Sequence, residues 1–192
     1  MTKVTKKSPV IAGLDMGTTK VACVIGEIGS SGQVEVVGVG VAQHQGMKQG
    51  IIINLEATVE AIKKAREEAE LMAGVTLSSA WLSTGGTQIQ SFNSSGMVAV
   101  RNPREITQQD IDGVIEAAKA IALPADRQVI HAIPQEFKID DQLGINDPLG
   151  MSGVRLETTV HIITGNSSVI QNAIKCAEKA GLREQGMVLQ QL

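Results

Sequence analysis

Val10-Ile11-Ala12-Gly13-Leu14-Asp15-Met16-Gly17-Thr18-Thr19-Lys20 is the stretch of sequence that decides the fold. Its apolar start predicts a short buried strand, and the apolar residues that follow Lys20 predict a second strand. The stretch is therefore expected to form a hairpin with a polar tip. Because Gly17 has no side chain, the amide groups at the tip can point together at a ligand. The tip is thus a candidate anion-binding site.

The polar residues of this tip suit phosphate and a metal ion. The hydroxyl groups of Thr18 and Thr19 add donors for phosphate oxygens, and Asp15 supplies the hard oxygen ligand that magnesium prefers, directly or through its waters. Two other interpretations of the stretch stay open at this point. It could be a simple hairpin turn, or it could be the Asp-x-Gly-Thr motif of an aspartic protease, in which paired carboxylates activate water.

Composition indicates a folded protein with no affinity for nucleic acid. The chain has 192 residues, of which 43% are apolar, enough for one domain or two small ones. Its net charge is −3, and one Trp, two Phe and no Tyr offer few surfaces on which bases could stack. The cluster Lys3, Lys6 and Lys7 is expected to be a solvated tail. Nucleic acid is therefore excluded as a partner.

The cysteines and histidines are isolated in the sequence. Cys23 and Cys176 have no second cysteine nearby, so both are expected to be small buried side chains in a reducing compartment. The histidines form no metal-ligand spacing and no Ser-His-Asp pattern; they are His44, His131 and His161. Neither a signal peptide nor a membrane-spanning segment is predicted, so a cytoplasmic location is expected.

The order of the predicted elements excludes two fold families. Three strands precede the first long helix, predicted over residues 54–73, and a further strand follows at 75–83. A Rossmann unit would place a helix directly after the glycine turn, so that fold is excluded. Two more helices are predicted over residues 107–122 and 168–180. Aspartic proteases consist almost entirely of strands, so these helices argue against that family as well.

A change of composition at Gly85-Gly86 predicts an inserted unit. Two short strands, at 87–92 and 97–101, are predicted to form a hairpin across Asn93-Ser94-Ser95-Gly96. The strand predicted at 129–139 contains Pro134, which requires an edge, a bulge or a break. Residues 143–153 are predicted to be a loop, and Leu156–Ile163 a returning strand. Two strands, a helix and two strands would thus form a compact unit between Gly85 and Ile162.

Several motifs in this order resemble a known family. The hairpin Asp-x-Gly-Thr-Thr, opening a strand-strand-strand-helix-strand unit, resembles the first phosphate motif of the actin, Hsp70 and sugar-kinase superfamily. The segments Gly46-Met47-Lys48-Gln49-Gly50, Ile133-Pro134-Gln135-Glu136-Phe137 and Gly150-Met151-Ser152-Gly153-Val154-Arg155-Leu156 are similar to those of the bacterial cell-division family FtsA. The resemblance extends over essentially the whole chain.

This resemblance implies an α/β fold, the first lobe of an actin-like (ribonuclease H-like) ATPase with an inserted small α+β subdomain. The implied division is subdomain 1A over residues 1–84, subdomain 1C over 85–162 and a return to 1A over 163–192. ATP and magnesium are the implied cofactors. By position in the motif, Asp15 would serve the magnesium, while Gly17, Thr18 and Thr19 would hold the phosphates and Lys20 would help to neutralise their charge.

The resemblance also implies partners and a location. Members of the family bind the tubulin-like FtsZ, associate into filaments and anchor the division ring through a C-terminal amphipathic helix. Their inserted subdomain contacts neighbouring subunits and the cytoplasmic segment of FtsN. The implied location is the cytoplasmic face of the inner membrane at the division site. Leu192 comes before the second lobe, its FtsZ-binding surface and the membrane helix, so a fragment or a naturally short relative is expected.

Three functions therefore stay under consideration. The first is an actin-like division scaffold that binds ATP, with weak or no ATPase activity and none expected from this chain alone, since no catalytic residue is predicted. The second is a protein-interaction module, without nucleotide chemistry, that acts through the inserted unit. The third is a relative of the pilus-assembly protein PilM or an Hsp70-type chaperone.

Overall fold

The computed structural model describes residues 9–192, and these form two compact units. Unit 1 contains the described residues up to Gln88 together with Ser167–Leu192, and unit 2 is Ile89–Asn166. The predicted lysine tail at Lys3, Lys6 and Lys7 lies outside the described residues. In chain order the elements are β1 (Val10–Met16), β2 (Lys20–Ile28), β3 (Val34–Gln43), β4 (Met47–Lys48), β5 (Ile51–Ile52), α1 (Leu55–Ala73), β6 (Ser79–Thr84), β7 (Gln90–Ala99), α2 (Gln108–Lys119), β8 (Arg127–Ile139), β9 (Gln142–Ile145), β10 (Arg155–Asn166), α3 (Ser167–Lys179) and β11 (Arg183–Leu189).

Unit 1 is a five-stranded mixed sheet with strand order β11-β6-β1-β2-β3. The predicted β1–β2 hairpin is present, with Met16 opposite Val21, and β3 continues it as an antiparallel meander. β6 and β11 then add to the sheet in parallel with β1. The strands β4 and β5 form a separate two-stranded ribbon. The sheet therefore combines an antiparallel half with a parallel half.

The helices α1 and α3 pack on one face of this sheet because alternate strand residues are apolar. Leu14, Val21 and Ile25 are fully buried there against α1 residues such as Ile62 and Ala65. Asn54 begins α1 as predicted, since its side chain accepts a hydrogen bond from the Ala57 amide at 3.1 Å. Helical spacing predicts a stripe of apolar residues on α1 that runs from Leu55 to Met72, but this prediction is wrong at its end, because Met72 is 65% exposed.

Two glycines of β3 let α1 lie directly on the sheet. A Cβ atom added at Gly38 would overlap the carbonyl of Ala69, and one added at Gly40 would overlap the carbonyl of Ala65. The helix backbone therefore approaches the strand more closely than any side chain would permit. The sequence allows these glycines either a close backbone approach or the simple weakening of an edge strand, and the structure shows the close approach.

Unit 2 is a four-stranded antiparallel sheet with order β7-β10-β8-β9 and one helix, α2. Its core includes the buried residues Ile106, Val114 and Leu156. Thr107 and Asp110 have the spacing that predicts a capping box, and α2 has one: the Thr107 hydroxyl and amide both donate to Asp110 Oδ2, at 2.7 and 2.9 Å. Pro134 sits at a register shift in the β8–β10 pairing, so of the edge, bulge or break that the sequence required, the structure shows a bulge.

Two predictions within unit 2 are wrong. The expected hairpin at Asn93-Ser94-Ser95-Gly96 is instead the middle of one continuous strand, β7, which pairs with β10 along its whole length. Gly96 has a packing role there, because an added Cβ would overlap the carbonyl of Val114 in α2. The expected loop at 143–153 contains most of β9, which pairs with β8. In both cases strand pairing overrides local turn propensity, with the distant strand β10 for β7 and with the preceding strand β8 for β9.

Candidate functional site

Three strand ends meet at one edge of the unit 1 sheet. β1, β6 and β11 run parallel to one another, so their carboxyl ends at Met16, Thr84 and Leu189 lie side by side. Ligands of α/β sheets bind outside the carboxyl ends of parallel strands, where loops diverge and leave a crevice. This edge is therefore where the fold itself favours a binding site.

Asp15 lies next to this edge, on the sheet face opposite the helices. Its neighbours Leu14 and Met16 are buried on the helix face, so the alternation of the strand places the Asp15 carboxylate on the other side. Ser83 Oγ donates to Asp15 Oδ1 at 2.5 Å and Gln190 Nε2 donates to the same oxygen at 3.1 Å. Within the described residues, Oδ2 accepts no hydrogen bond, so it is available to a cation or its water shell.

The hairpin tip offers fewer free donors than the sequence indicated. The Gly17 amide donates to the Lys20 carbonyl at 2.9 Å and so closes the turn. The Thr18 and Thr19 amides donate no backbone hydrogen bond among the described residues, and both threonines are exposed. A Cβ atom at Gly17 would lie 3.1 Å from the Lys20 carbonyl, so the turn itself favours glycine. The free donors of the tip are therefore those of the two threonines.

A cavity of about 340 Å³ lies beside this tip. Gly17 and Thr18 contribute to its wall, whereas Thr19 and Lys20 line a second surface hollow together with His44. The structure thus divides the predicted phosphate-binding residues between two hollows. The Lys20 side chain is exposed and makes no ion pair within residues 9–192.

Glycine backbones build the far wall of the cavity, and sequence reasoning missed them. Gly50 and Gly86 both have positive φ, 80° and 94°, which favours glycine. A Cβ at Gly50 would lie 2.6 Å from the Gly85 carbonyl, and one at Gly86 would lie 2.5 Å from the Gln49 carbonyl. Two loops thus touch backbone to backbone. Gly85-Gly86 gave a signal in the sequence, but only as a change of composition.

Ser83 and Gln190 were also missed by sequence reasoning. Each sits in or after a strand parallel to β1, 68 and 175 residues from Asp15 along the chain. No local motif links them to Asp15. Strand order could have predicted the Ser83 contact, because β6 lies parallel to β1 and places Ser83 beside Asp15.

Among the residues that the structure describes, no three His, Cys, Asp or Glu side chains come together as a metal-binding group. None of the described helices combines the length and the apolar character that crossing a membrane requires.

Comparison with known proteins gives the family. Residues 86–164 match a family described as the SHS2 domain inserted in FtsA. The chain is 45% identical to cell division protein FtsA of Pseudomonas aeruginosa over 95% of its own length and 44% of that protein. Over 95% of its length, the chain is a homologue of FtsA. This confirms the resemblance found in the sequence.

Other FtsA proteins give the same relationship. The chain is 45% identical to FtsA of Neisseria meningitidis serogroup B and 39% identical to FtsA of Escherichia coli K12, in each case over 95% of the chain. It spans less than half the length of these curated relatives, 44% and 43% respectively. What a whole FtsA protein does is therefore a matter for proposal in this chain.

A solved structure supports the fold. The FtsA homologue resembles a chain of the PilM-PilN type IV pilus biogenesis complex with a TM-score of 0.61, over 94% of its length and 47% of that chain. At 13% identity this likeness concerns the fold alone. With the matched SHS2 domain, it confirms the predicted fold class: an actin-like α/β lobe with an inserted α+β subdomain.

Proposed function

We propose that this FtsA homologue acts in cell division and binds ATP with magnesium at the joint carboxyl ends of β1, β6 and β11. The observation that carries the nucleotide site is the Asp15 carboxylate, which has one oxygen unengaged. Its hydrogen-bond partners Ser83 and Gln190 line a glycine-walled cavity at the carboxyl ends of the parallel strands, although Asp15 itself does not line it. Similarity to FtsA proteins supports the role in division.

Each predicted site residue receives a role in this proposal. The Thr18 and Thr19 amides and hydroxyls donate to phosphate oxygens, and Gly17 lets the phosphates approach the backbone. Lys20 reduces the negative charge from the outer side of the hairpin. Asp15 Oδ2 holds the magnesium ion, directly or through water, while Ser83 and Gln190 fix Oδ1. No described residue is placed to activate water, so we propose binding with little or no hydrolysis by this chain alone.

The two units are proposed to correspond to subdomains. Unit 1 would be subdomain 1A and unit 2 subdomain 1C, for which the sequence predicted residues 85–162. The matched SHS2 segment, residues 86–164, supports this assignment of unit 2.

The partners in this proposal come from the similarity to FtsA. We propose that the protein works with FtsZ at the cytoplasmic face of the inner membrane, associates with itself, and offers unit 2 to neighbouring subunits and to the FtsN cytoplasmic segment. Membrane attachment would use an amphipathic helix outside this sequence. Pull-down of the chain with an FtsN cytoplasmic peptide, but not with pilus-assembly proteins, would test the choice between division and pilus functions.

The nucleotide site is tested by NMR titration of the chain with ATP, with and without magnesium. Because a site between two lobes divides its contacts, we expect weak binding by one lobe, with a dissociation constant of about 1 mM, equivalent to about 4 kcal/mol. The amide signals of Thr18 and Thr19 should move, and magnesium should increase the affinity.

Asp15→Asn is the matched control, because asparagine keeps an acceptor for Ser83 but loses the charge that binds magnesium. We expect the variant to bind ATP without the gain from magnesium. Unmoved threonine signals would refute the nucleotide site. An undiminished effect of magnesium in Asp15→Asn would refute the role of Asp15.

A further inference from the structure

His44 contacts the hairpin tip through both its backbone and its ring. The His44 amide donates to the Thr19 carbonyl at 3.0 Å, and ring Nε2 lies 3.0 Å from the Gly17 carbonyl oxygen. On the other side of the ring, the Gly46 amide donates to Nδ1 at 3.2 Å. The half-buried imidazole therefore bridges two segments that are distant in sequence.

These two partners select one protonation state. A backbone amide can only donate, so Nδ1 must present its lone pair to Gly46. A carbonyl can only accept, so Nε2 must carry the proton that reaches Gly17. Only the neutral Nε2–H tautomer satisfies both. A second proton would place an N–H on Nδ1 opposite the Gly46 N–H, and that hydrogen bond would be lost.

Gly46 is itself fixed to the start of α1. Its carbonyl accepts from the Ile53 and Asn54 amides at 2.8 and 3.0 Å, and Asn54 is the N-cap of the helix. A Cβ added at Gly46 would overlap the Thr58 hydroxyl, so this backbone lies directly against α1. The residues that follow, Gln49 and Gly50, form part of the cavity wall. The ring thus joins one wall of the cavity to the other.

We propose that His44, as the neutral Nε2–H tautomer, is a positioning residue that fixes the hairpin tip against the segment Gly46–Gly50. Protonation of its ring releases Gly46 and loosens the cavity. The charged groups of the neighbouring elements are Lys20, which lines the same surface hollow as His44, and Lys48, within the segment that the ring holds. The effect on phosphate binding rests on the proposed function, whereas the effect on geometry does not.

The test is NMR of the unliganded chain between about pH 8 and about pH 5.5, the range over which histidine changes charge. The Gly46 and Thr19 amide signals should move together, with the midpoint shown by the His44 ring signals. His161→Gln is the control, because His161 belongs to unit 2, where its ring contacts Asn93. That variant should leave the midpoint unchanged. Gly46 and Thr19 signals that stay fixed while the His44 ring titrates would overturn the proposal.

Two substitutions separate the two hydrogen bonds. His44→Gln keeps a donor for the Gly17 carbonyl, and His44→Asn keeps an acceptor for the Gly46 amide. Both should abolish the joint pH response. Amide exchange at Gly46 should accelerate about threefold to tenfold in His44→Gln, the range that one hydrogen bond supports, and less in His44→Asn. A pH response that persists in His44→Gln would overturn the proposal. If either variant fails to fold, the titration of the unmodified chain still decides.

Nucleotide affinity gives a separate readout. In the unmodified chain, acidification over the same range should weaken MgATP binding about threefold to tenfold more than in His44→Gln. Equal weakening in both would overturn the link between His44 and the site. Absence of MgATP binding at every pH would refute the proposed function, while the amide titration would still judge the role of His44.

Discussion

In both units a helix packs directly on a glycine of the sheet. In unit 1, α1 lies on Gly40 of β3, where a Cβ atom would overlap the Ala65 carbonyl. In unit 2, α2 lies on Gly96 of β7, where a Cβ atom would overlap the Val114 carbonyl. In both units the glycine belongs to an edge strand of the sheet. Helix-on-sheet packing is therefore not what distinguishes the two.

Strand direction distinguishes them. In unit 1, β1, β6 and β11 are parallel, so their carboxyl ends converge on one edge, and the loops that leave them build a cavity of about 340 Å³. In unit 2 every described pairing is antiparallel, so successive strands end at opposite edges and their loops are dispersed. A binding site at strand ends thus follows from topology. This explains why the candidate site belongs to unit 1 although both units pack alike.

The largest effect on stability is expected from replacing the glycine on which the helix packs in each unit. Gly40→Ala in unit 1 and Gly96→Ala in unit 2 should each destabilise the protein by about 1–3 kcal/mol or more, because a helix backbone cannot move away as a flexible side chain can. Urea unfolding, followed by circular dichroism, measures this loss. Similar losses in the two variants would agree with equivalent packing in the two units.

Gly13→Ala is the matched control for both substitutions. Gly13 is also a strand glycine, but nothing lies within 4 Å of a Cβ atom added there. Replacing an unhindered glycine by alanine lowers the conformational entropy of the unfolded chain, so the control substitution should be neutral or slightly stabilising. If Gly40→Ala were as stable as Gly13→Ala, the close approach of α1 to β3 would be wrong.

The sequence predicted unit 1 better than unit 2, for a physical reason. Local patterns determine the first hairpin and the three long helices, and apolar periodicity found them. The Asn93-Ser94-Ser95-Gly96 segment has turn propensity, yet it forms strand because β10 pairs with it along its whole length. Long-range pairing leaves no local signal, so this strand could not be predicted from its own residues. The strand β9 was missed for a different reason: it forms a local hairpin with β8 across Asp140 and Asp141, although its own segment is rich in turn-forming residues.

The candidate site shows the same limit. Asp15 and the hairpin tip were predicted because their motif is contiguous. Ser83 and Gln190, which hold the Asp15 carboxylate, come from distant strands, and the Gly17 amide is used by the turn itself. A contiguous motif thus identifies candidate residues, but the contacts around them depend on how the strands are ordered.

A second prediction concerns how α1 and α2 begin, and the expected change in stability is smaller. α1 starts with the neutral cap Asn54, whereas α2 starts with a capping box in which Asp110 accepts from Thr107. These hydrogen bonds, together with a weaker one from the Arg101 amide, lower the pKa of Asp110 from its ordinary value of 3.8. Asp110→Ala should cost about 1 kcal/mol at neutral pH, and Asn54→Ala a similar amount.

The pH dependence distinguishes the two caps. Because the pKa of Asp110 is lower in the folded state, its contribution is complete well above 3.8 and is lost as the pH falls through the folded value. The cost of Asp110→Ala should therefore shrink in acid, whereas the cost of Asn54→Ala should not change. Thermal melts of both variants at about pH 7 and about pH 3 measure this difference. A constant cost for Asp110→Ala would contradict the charged capping box.

The smallest effect is a change in labelling rate, for which the cysteines serve as reporters of unit 1. Cys23 lies opposite Gly40 in the β2–β3 pairing, and burial, reinforced by Glu70 and opposed by Arg66, raises its pKa to about 11. Burial also raises the pKa of Cys176. Both thiols are fully buried, so native labelling by a thiol reagent should be slow, with roughly one thiol in a thousand ionised at Cys23 near pH 8.

Gly40→Ala should accelerate labelling of Cys23 by displacing α1, whereas Gly13→Ala should not. Gly96→Ala should also leave the rate unchanged, because Gly96 packs against α2 and unit 2 contains no cysteine. Fast labelling of Cys23 in the unmodified chain would contradict its burial, and acceleration by Gly96→Ala would show that loosening unit 2 also opens unit 1.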